Sequence, residues 1–319
     1  MIHRVAVLTS GGDAPGMNAA IRAVVRASLE EGYQVFAVME GYKGLVNNQI
    51  FQVDRSFVSE TINRGGTILR TARLPEFSDP EVRKIAIRNL NARKIDTVVV
   101  IGGNGTFKGG EALSKDGVNV IGIPGTIDND ITCSEYTIGF DTTLNTIVDA
   151  VDKLRDTSSS HQRCSIIEVM GRHCGDLALE AGFATGAEIV CSSERPLSFE
   201  EMARRVNEMK LSGKRHAIIV VSEHVLDVHD LAKFIENRIG IESRATVLGH
   251  IQRGGSPSAF DRVLASRLGV AAVDAIKNES GSGCVCSQGN KIIFMPMEEA
   301  MNMPRYLDTK LYEDNERIM

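Results

Sequence analysis

Two neighbouring aspartates are the clearest candidates for acid–base chemistry in this sequence. Asp128 and Asp130 stand in the segment Pro124–Asp130 (PGTIDND), which follows the apolar run Val118–Ile123. If this segment is extended, Thr126, Asp128 and Asp130 share one face, because side chains alternate with a period of two. Adjacent carboxylates repel each other, which favours a general base for an attacking hydroxyl, and a carboxylate can also hold Mg²⁺. A solvated acidic turn is the alternative interpretation.

Two glycine-rich loops are candidates for phosphate binding. Ser10–Gly16 (SGGDAPG) follows the apolar run Arg4–Thr9, and Gly102–Thr106 (GGNGT) follows the run Asp96–Ile101. Glycines let backbone N–H groups approach phosphate oxygens, and a helix N-terminus favours negative charge. Neither loop has the spacing of a GxxxxGK[ST] loop or of a GxGxxG motif with its acidic partner. Either loop alone is more simply a tight turn, but two in one chain favour phosphate cradles.

Several cations next to apolar runs are candidates for binding anionic groups. An arginine forms two parallel charge-assisted hydrogen bonds with phosphate, and one such group could neutralise charge on a transferred phosphoryl group. Each cation alone is more simply a surface residue or an ion-pair partner, although glycines lie beside or near three of them. The candidates are Arg73, Arg163, Arg172, Arg244, His250 and Arg253.

Composition excludes two classes of function. The 319 residues are 43% hydrophobic, enough for one or two domains. The net charge is −5 and aromatic residues make up 5% with no Trp, which argues against nucleic-acid binding. No apolar run approaches about 18 residues, so we expect no membrane span. The N-terminal residues lack the pattern of a signal peptide and the six cysteines lack a zinc-type spacing, so we expect a cytoplasmic enzyme with reduced thiols.

Apolar runs and amphipathic segments alternate along the chain, which predicts an α/β fold with mostly parallel sheets. The runs are continuous, as in strands buried on both faces, and ligands bind such sheets at the carboxyl ends of the strands. The Gly- and Ser-rich stretch Glu279–Gly289 (ESGSGCVCSQG) is a candidate for a loop. The predicted strands are Arg4–Thr9, Gln34–Met39, Asp96–Ile101, Val118–Ile123, Ser165–Met170, His216–Ser222, Thr246–Leu248 and Lys291–Met295. The predicted helices are Met17–Glu31, Phe140–Thr157, Ser198–Met209, Val228–Ile239 and Asp261–Lys277.

Taken together, these segments closely resemble those of the bacterial ATP-dependent 6-phosphofructokinases (phosphofructokinase A family). The strings that carry the resemblance are LTSGGDAPGMNAAIR, NRGGT, PGTIDND, IGFDT, DKLRDTSSSHQR, EVMGRHCGD and RATVLGHIQRGGSP. The resemblance implies transfer of a phosphoryl group from ATP, with Mg²⁺, to the 1-hydroxyl of fructose 6-phosphate in glycolysis by a homotetramer. It implies two Rossmann-like three-layer αβα domains with the active site in the cleft between them. The larger, ATP-binding domain would comprise residues 1–139 and 252–304, and the smaller, fructose 6-phosphate-binding domain 140–251 and 305–319.

The resemblance also implies a role for each site residue. Asp128 would be the base, Arg172 and Thr126 would stabilise the transferred phosphoryl group, and Asp130 would help to hold the metal and phosphates. The nucleotide would contact Gly12, Arg73, Gly103, Asn104, Gly105 and Thr106. The sugar phosphate would contact Thr126, Asp128, Met170, Gly171, Arg172, Glu223, His250 and Arg253, and also Arg163 and Arg244 of a neighbouring subunit.

A second, regulatory nucleotide site is implied by the same resemblance, with ADP or phosphoenolpyruvate as the effector. Ordinary ion pairs at a subunit interface are the alternative interpretation of these residues. They are Arg22, Arg26, Arg55, Arg155, Gly186, Glu188, Lys214 and His216.

Two glycines bear on the choice of phosphoryl donor, and two other positions depart from the family pattern. Relatives that use pyrophosphate carry larger residues at Gly105 and Gly125, so these glycines favour ATP. Asn104 replaces the aspartate that contacts Mg²⁺ in the family and is the expected metal ligand here. Three interpretations of Asn104 remain: the enzyme is active but needs more Mg²⁺, the chain is a slow or regulatory paralogue, or the asparagine is an engineered change. Ser212 replaces a cation at the effector site, which weakens the expectation of regulation, and the tail after Met303 indicates no function.

Overall fold

A computed structural model describes residues 3–318, which fold into two compact units, each with its own sheet. The large unit comprises Met1–Thr142 and Arg253–Arg305, and the small unit comprises Thr143–Gln252 and Tyr306–Met319. The boundaries expected from the sequence were 139, 251 and 304. The binding of nucleotide by one unit and of sugar phosphate by the other stays a prediction.

Strands and helices alternate along most of the described chain. Two short 3₁₀ helices cover Pro75–Ser78 and Gly249–Arg253. The strands β1–β11 are Arg4–Ser10, Gln34–Val38, Ile50–Val53, Thr97–Gly102, Asn119–Pro124, Cys164–Val169, Ile189–Cys191, Ala217–Ser222, Ser243–Val247, Gly283–Gln288 and Lys291–Pro296. The helices α1–α11 are Met17–Glu30, Gly41–Val46, Pro80–Ala92, Asn104–Lys115, Phe140–His161, Asp176–Thr185, Phe199–Leu211, Val228–Ile239, Ala259–Lys277, Met297–Asn302 and Thr309–Ile318.

The large unit is built on a sheet with the strand order β11-β10-β5-β4-β1-β2-β3. Its five inner strands are parallel, and the two edge strands β3 and β11 are antiparallel to their neighbours. Every residue of β4 is buried, because α1 and α9 pack on one side of the sheet while α2, α3 and α4 pack on the other. This double covering is why the strands appear in the sequence as continuous apolar runs.

The small unit is built on a parallel sheet with the order β7-β8-β6-β9. Helices α7 and α8 bury Met202, Val206, Leu231 and Ile235 against alternate residues of these strands. The predicted class, two Rossmann-like αβα units with mostly parallel sheets, is therefore confirmed.

Two local predictions were wrong. Most of the segment Glu279–Gly289 is not a loop, since Gly283–Gln288 forms β10, which pairs with β11 along its length and with β5 at Gly283 and Cys284. The strand expected at Thr246–Leu248 begins earlier, at Ser243. In both places neighbouring strands supply hydrogen bonds that local residue preference does not reveal.

All six cysteines are buried, and none forms a disulfide within residues 3–318. Among the same residues, none of the helices combines the length and the apolar character that a bilayer crossing requires.

Candidate active site

Three candidate segments of the large unit begin side by side at one edge of its sheet. Strands β1, β4 and β5 are parallel neighbours, with Ser10 paired to Gly102 and Gly102 paired to Pro124. The two glycine loops and the aspartate segment therefore leave the sheet from adjacent strand ends, where α/β sheets bind ligands.

Hydrogen bonds hold the first glycine loop against its neighbours. Thr106 Oγ1 donates to Ser10 O at 2.9 Å, and Thr71 Oγ1 donates to Gly11 O at 2.6 Å. Gly102 has no room for a side chain, because a Cβ would lie 2.5 Å from Ser10 O. The absence of a side chain at Gly102 thus allows the two loop backbones to approach each other.

Three helices that begin at candidate segments lack a side-chain cap at their N-terminus. Helices α1, α4 and α6 follow Gly16, Gly103 and Gly175, none of which can cap with a side chain. Met17 N, Ala19 N and Thr106 N already donate to preceding carbonyl oxygens, so an anionic ligand would bind at the remaining N–H groups of these first turns. By contrast, α3, α7, α8 and α9 are capped by Asp79, Ser198, Asp227 and Ser258.

Asp128 lies in a turn and not in the extended segment predicted from the sequence. Asn129 has a φ of 51°, in the left-handed region, so the alternation of side chains stops there. Thr137 closes the turn, because its Oγ1 donates to Thr126 O at 2.6 Å and its N–H donates to Asn129 Oδ1 at 3.0 Å. The prediction that an extended segment places Asp128 and Asp130 on one face is therefore wrong. Asp128 is only 7% exposed, which also argues against a solvated acidic turn.

Asn104 faces Asp130 through its amide nitrogen. The Nδ2 group donates to Asp130 Oδ2 at 2.6 Å and to Asp130 O at 3.2 Å. An aspartate at position 104 would lose both hydrogen bonds and would repel Asp130 unless a cation lay between them.

The side chains of Asn104 and Asp130 fit the ligand preference of Mg²⁺. They offer a carboxylate and an amide oxygen, which suit an ion that takes one or two protein ligands and completes its shell with substrate phosphates and water. Within residues 3–318, no group of three or more His, Cys, Asp or Glu side chains could hold a metal ion.

Arg253 lies against the first glycine loop. A Cβ at Gly12 would be 2.3 Å from Arg253 Nη1, and the same nitrogen donates to Asp13 O at 3.4 Å. The resemblance assigned Arg253 to the sugar phosphate, but these contacts lie in the loop assigned to the nucleotide. Arg73, also assigned to the nucleotide, is exposed two residues after Thr71, which bonds to this loop.

The two glycines that bear on the phosphoryl donor differ in their surroundings. Gly105 is exposed, and a Cβ there would meet nothing within 4 Å. Gly125 is buried, and a Cβ there would meet Ile101 at 3.1 Å and Met17 at 3.3 Å. A larger side chain at position 105 would therefore occupy free space at the loop, whereas a side chain at position 125 would leave its Cα towards the core.

Asp261, which sequence analysis did not single out, fixes the segment that follows the Asp128 turn. Its carboxylate accepts hydrogen bonds from Gly139 N at 2.9 Å, Thr142 N at 2.8 Å and Thr142 Oγ1 at 2.5 Å, at the start of α5. Burial raises the pKa of Asp261 to about 6, although these hydrogen bonds act in the opposite direction. The sequence signal that could have drawn attention to Asp261 is Ser258-x-x-Asp261, a capping-box pattern at the start of α9. The Asp261 carboxylate, however, accepts hydrogen bonds from the start of α5.

In the small unit, Arg172 lies in a tight loop at the carboxyl end of β6. Gly171 has a φ of 137° and Arg172 a φ of 59°, a value that non-glycine residues rarely adopt. Glu223, which follows the neighbouring strand β8, accepts hydrogen bonds from Arg172 N at 2.7 Å and Gly171 N at 3.2 Å. The loop conformation thus exposes the Arg172 side chain while Glu223 holds its backbone.

Gln252 joins two further sugar-phosphate candidates and was also not singled out. Its Oε1 accepts a hydrogen bond from Met170 N at 3.1 Å, and its Nε2 donates to Gly249 O at 3.0 Å. The exposed His250 stands in this same short helix. A fully buried glutamine within the string GHIQRGG was the available signal, but sequence alone does not reveal burial.

Arg163 and Arg244 lie at the opposite end of the small sheet from Arg172. Arg163 precedes β6, and Arg244 pairs with Ser165 near the start of that strand. All six residues of β6, roughly 17–20 Å of strand, separate Arg163 from Met170, and four of them separate Met170 from Ser165, the partner of Arg244. Both arginines contact Glu242, with Arg163 Nε at 2.7 Å, and Arg163 is the main cause of the lowered pKa of that carboxyl. Within one chain, the structure does not bring them to the other sugar-phosphate candidates.

The effector candidates of the small unit surround the buried carboxylate of Glu188. Lys214 Nζ lies 2.6 Å from Glu188 Oε1, and Arg155 Nη1 lies 3.8 Å from it. Arg155 also donates to Gly186 O at 3.2 Å. His216 is half-buried two residues after Lys214, and the exposed Ser212 donates to Met209 O at 2.8 Å.

The large unit carries the other three effector candidates. Arg22 and Arg26 are one turn apart on α1, and burial, followed by the charge of Arg26, lowers the pKa of Arg22. Two cations this close leave a positive surface that an anion would stabilise. Arg55 forms an exposed ion pair with Glu30.

Comparisons with known proteins agree along nearly the whole chain. A family model described as Phosphofructokinase matches residues 4–276. ATP-dependent 6-phosphofructokinase 1 of Clostridium perfringens is 55% identical over 98% of this chain and 98% of its own. ATP-dependent 6-phosphofructokinase of Mannheimia succiniciproducens is 53% identical over 100% of each chain. A solved structure of phosphofructokinase from Saccharomyces cerevisiae has a TM-score of 0.87 at 35% identity, and covers 99% of this chain and 48% of the yeast chain.

Proposed function

The chain belongs to the phosphofructokinase family, and from this premise we infer that it transfers a phosphoryl group from ATP to the 1-hydroxyl of fructose 6-phosphate. The products are fructose 1,6-bisphosphate and ADP. The observation that supports this most directly is the common edge of β1, β4 and β5, from which two glycine loops and the Asp128 turn emerge. A module that only bound nucleotide would not need a buried carboxylate at that edge.

We propose that Asp128 acts as the general base. The sugar hydroxyl loses its proton to the Asp128 carboxylate while its oxygen bonds to the terminal phosphorus, and the bond to the ADP oxygen breaks. Hydrogen bonds from Thr137 fix the turn, so the carboxylate does not have to be ordered during the reaction. Arg172 balances charge on the transferred group, because a guanidinium can donate two parallel hydrogen bonds to its oxygens.

The nucleotide phosphates are proposed to bind at the uncapped N-termini of α1 and α4, with Gly12, Gly103, Gly105 and Thr106 lining the loops. Asp130 and Asn104 would hold Mg²⁺, which would supply positive charge that offsets the charge of the phosphates. Free space at Gly105 supports a nucleotide donor over pyrophosphate.

Assembly and regulation are further parts of the proposal. We infer a homotetramer in which Arg163 and Arg244 serve the sugar phosphate of a neighbouring subunit, since both lie far along the sheet from Arg172 of their own chain. ADP or phosphoenolpyruvate would bind at the effector candidates, where an anion would compete with Glu188 for Arg155 and Lys214. The cytoplasmic location stays a prediction.

The purified protein is expected to convert ATP and fructose 6-phosphate to ADP and fructose 1,6-bisphosphate, more slowly with pyrophosphate as donor. A coupled assay over graded Mg²⁺ measures the rates, and phosphorus NMR of the product identifies the new 1-phosphate. Faster turnover with pyrophosphate would overturn the donor assignment. Absence of turnover at every Mg²⁺ concentration, with both ligands bound, would favour a non-catalytic sensor, the alternative that Asn104 suggests.

Asn104→Asp is expected to lower the Mg²⁺ needed for half-maximal rate by roughly tenfold, equivalent to about 1.4 kcal/mol, through the added charge. Without Mg²⁺ the two carboxylates at 104 and 130 repel, so the melting temperature should fall by roughly 2–4 °C per kcal/mol lost. Scanning calorimetry with and without Mg²⁺ measures this second effect independently of activity.

Asn104→Ala is the control for this change, because it removes the hydrogen bonds to Asp130 without adding charge. It should lower the metal-free melting temperature without reducing the Mg²⁺ requirement. If Asn104→Asp and wild type share one Mg²⁺ profile, position 104 does not contribute to metal binding.

A further inference from the structure

We propose that the C-terminal helix α11 positions Arg172 for phosphoryl transfer, acting through the segment Ser192–Arg195 that follows β7. This inference rests on the proposed role of Arg172 in the reaction. It gives a function to a tail from which the sequence indicated none. Every contact in the argument lies within the small unit.

The loop Met170–Gly175, here called the Arg172 loop, needs contacts at both ends to keep its conformation. The left-handed backbone of Arg172 is sparsely populated and persists only where surrounding structure imposes it. Glu223 holds the first half of the loop through two backbone N–H groups. Cys174 N donates to Gly171 O at 2.8 Å within the loop, and the second half, from His173 to Gly175, has further contacts with another segment.

The segment Ser192–Arg195, here called the support loop, holds this second half. Glu194 Oε1 accepts a hydrogen bond from Gly175 N at 2.9 Å, and Ser193 Oγ donates to His173 O at 3.2 Å. The approach is so close that a Cβ at Gly175 would lie 2.6 Å from Ser192 Cβ. A displacement of the support loop would therefore move the Arg172 loop as well.

Helix α11 fixes the support loop at both of its ends. At one end, the hydroxyl groups of Ser192 and Tyr312 share a buried hydrogen bond of 2.5 Å. At the other end, the guanidinium carbon of Arg195 lies 4.8 Å from the centroid of the Tyr312 ring, and Arg195 Nη1 lies 3.6 Å from Glu316 Oε1. One tyrosine thus contacts both ends of the loop that holds Gly175 and His173.

Helix α11 contributes little to the hydrophobic core of the small unit. Tyr312 and Asn315 are its buried residues, and the helix packs against α6, which begins directly after Gly175. Tyr312 is 4% exposed and Ser192 is fully buried, so water does not readily replace their hydrogen bond.

Tyr312→Phe, which removes one hydroxyl and keeps the ring under Arg195, tests the inference. Loss of one buried hydrogen bond should speed amide hydrogen exchange across residues 171–176 about fivefold and lower kcat by about three- to tenfold. The KM for ATP should not change, because the proposed nucleotide contacts are in the large unit. Tyr306→Phe is the matched control, since Tyr306 belongs to the same tail but is 80% exposed, and it should leave exchange and kcat unchanged.

Ser192→Ala should reproduce both effects, and the double variant should lose little more than either single variant, because both remove one shared bond. Unchanged exchange in the Arg172 loop of Tyr312→Phe would overturn the inference, and so would faster exchange with an unchanged kcat. Failure of the proposed function would give a different result. Variants of Arg172 would then keep full activity, whatever the amide hydrogen exchange rates of the Arg172 loop.

Discussion

Asp128→Asn is expected to lower kcat by about 10²- to 10⁴-fold, the usual contribution of a positioned general base. Asparagine has nearly the same shape and fits the same buried turn, but its amide cannot take the proton of the sugar hydroxyl. The KM for fructose 6-phosphate should stay within a few-fold of wild type, since an interaction made mainly in the transition state is lost. Steady-state kinetics at saturating Mg²⁺ and ATP measure both parameters.

The control for this substitution is Asp149→Asn, which makes the same chemical change at an exposed position on α5, where Asp149 pairs with Lys153. It should leave kcat unchanged. Matching melting curves of Asp128→Asn and wild type would show that the turn remains folded. A loss of less than about tenfold in kcat would remove Asp128 from the role of base, since general bases contribute more than this.

Replacement of Arg172 should reduce kcat by about 10²- to 10³-fold, comparable to the removal of one donor that stabilises transition-state charge. Two replacements separate chemistry from folding. Arg172→Ala and Arg172→Gly both delete the guanidinium, so they should lose the same activity. They should differ in stability, because glycine accepts the φ of 59° at this position while alanine, like arginine, is strained there by about 1–2 kcal/mol.

Urea denaturation measures this difference in the free energy of unfolding, and steady-state kinetics measure kcat. Arg238→Ala, on the exposed side of α8, provides the control for loss of a cation and should leave both quantities near wild type. If Arg172→Gly retained high activity, the guanidinium would not act on the transferred group. If Arg172→Lys restored most of the rate, charge alone would be sufficient and the paired hydrogen bonds would be unnecessary.

The chemistry-bearing segments were accessible from the sequence because their signals are local. Glycines after continuous apolar runs predicted loops at strand ends, and parallel strands bring such ends to one edge. The positions of the Ser10–Gly16 and Gly102–Thr106 loops and of Asp128 followed from those two facts. The family resemblance then supplied roles that residue types alone left open.

Backbone detail at the same segments was not accessible. The extended conformation expected for Thr126–Asp130 was wrong, because Thr137, eight residues beyond Asn129, stabilises a left-handed residue in the turn. β10 was missed for a related reason, since its Gly- and Ser-rich residues form a strand only where β5 and β11 supply partners.

The sequence by itself determined the α/β class, most of the strands and the residue types at the strand ends, since these depend on the spacing of apolar residues and glycines along the chain. Only the tertiary structure decided which groups meet. The Asn104 amide donates a hydrogen bond to Asp130. Asp261 accepts one from Thr142 at the start of α5, 119 residues away in the sequence, and the hydroxyl groups of Tyr312 and Ser192, 120 residues apart, form another. Such contacts depend on the packing of distant elements, which no local pattern encodes.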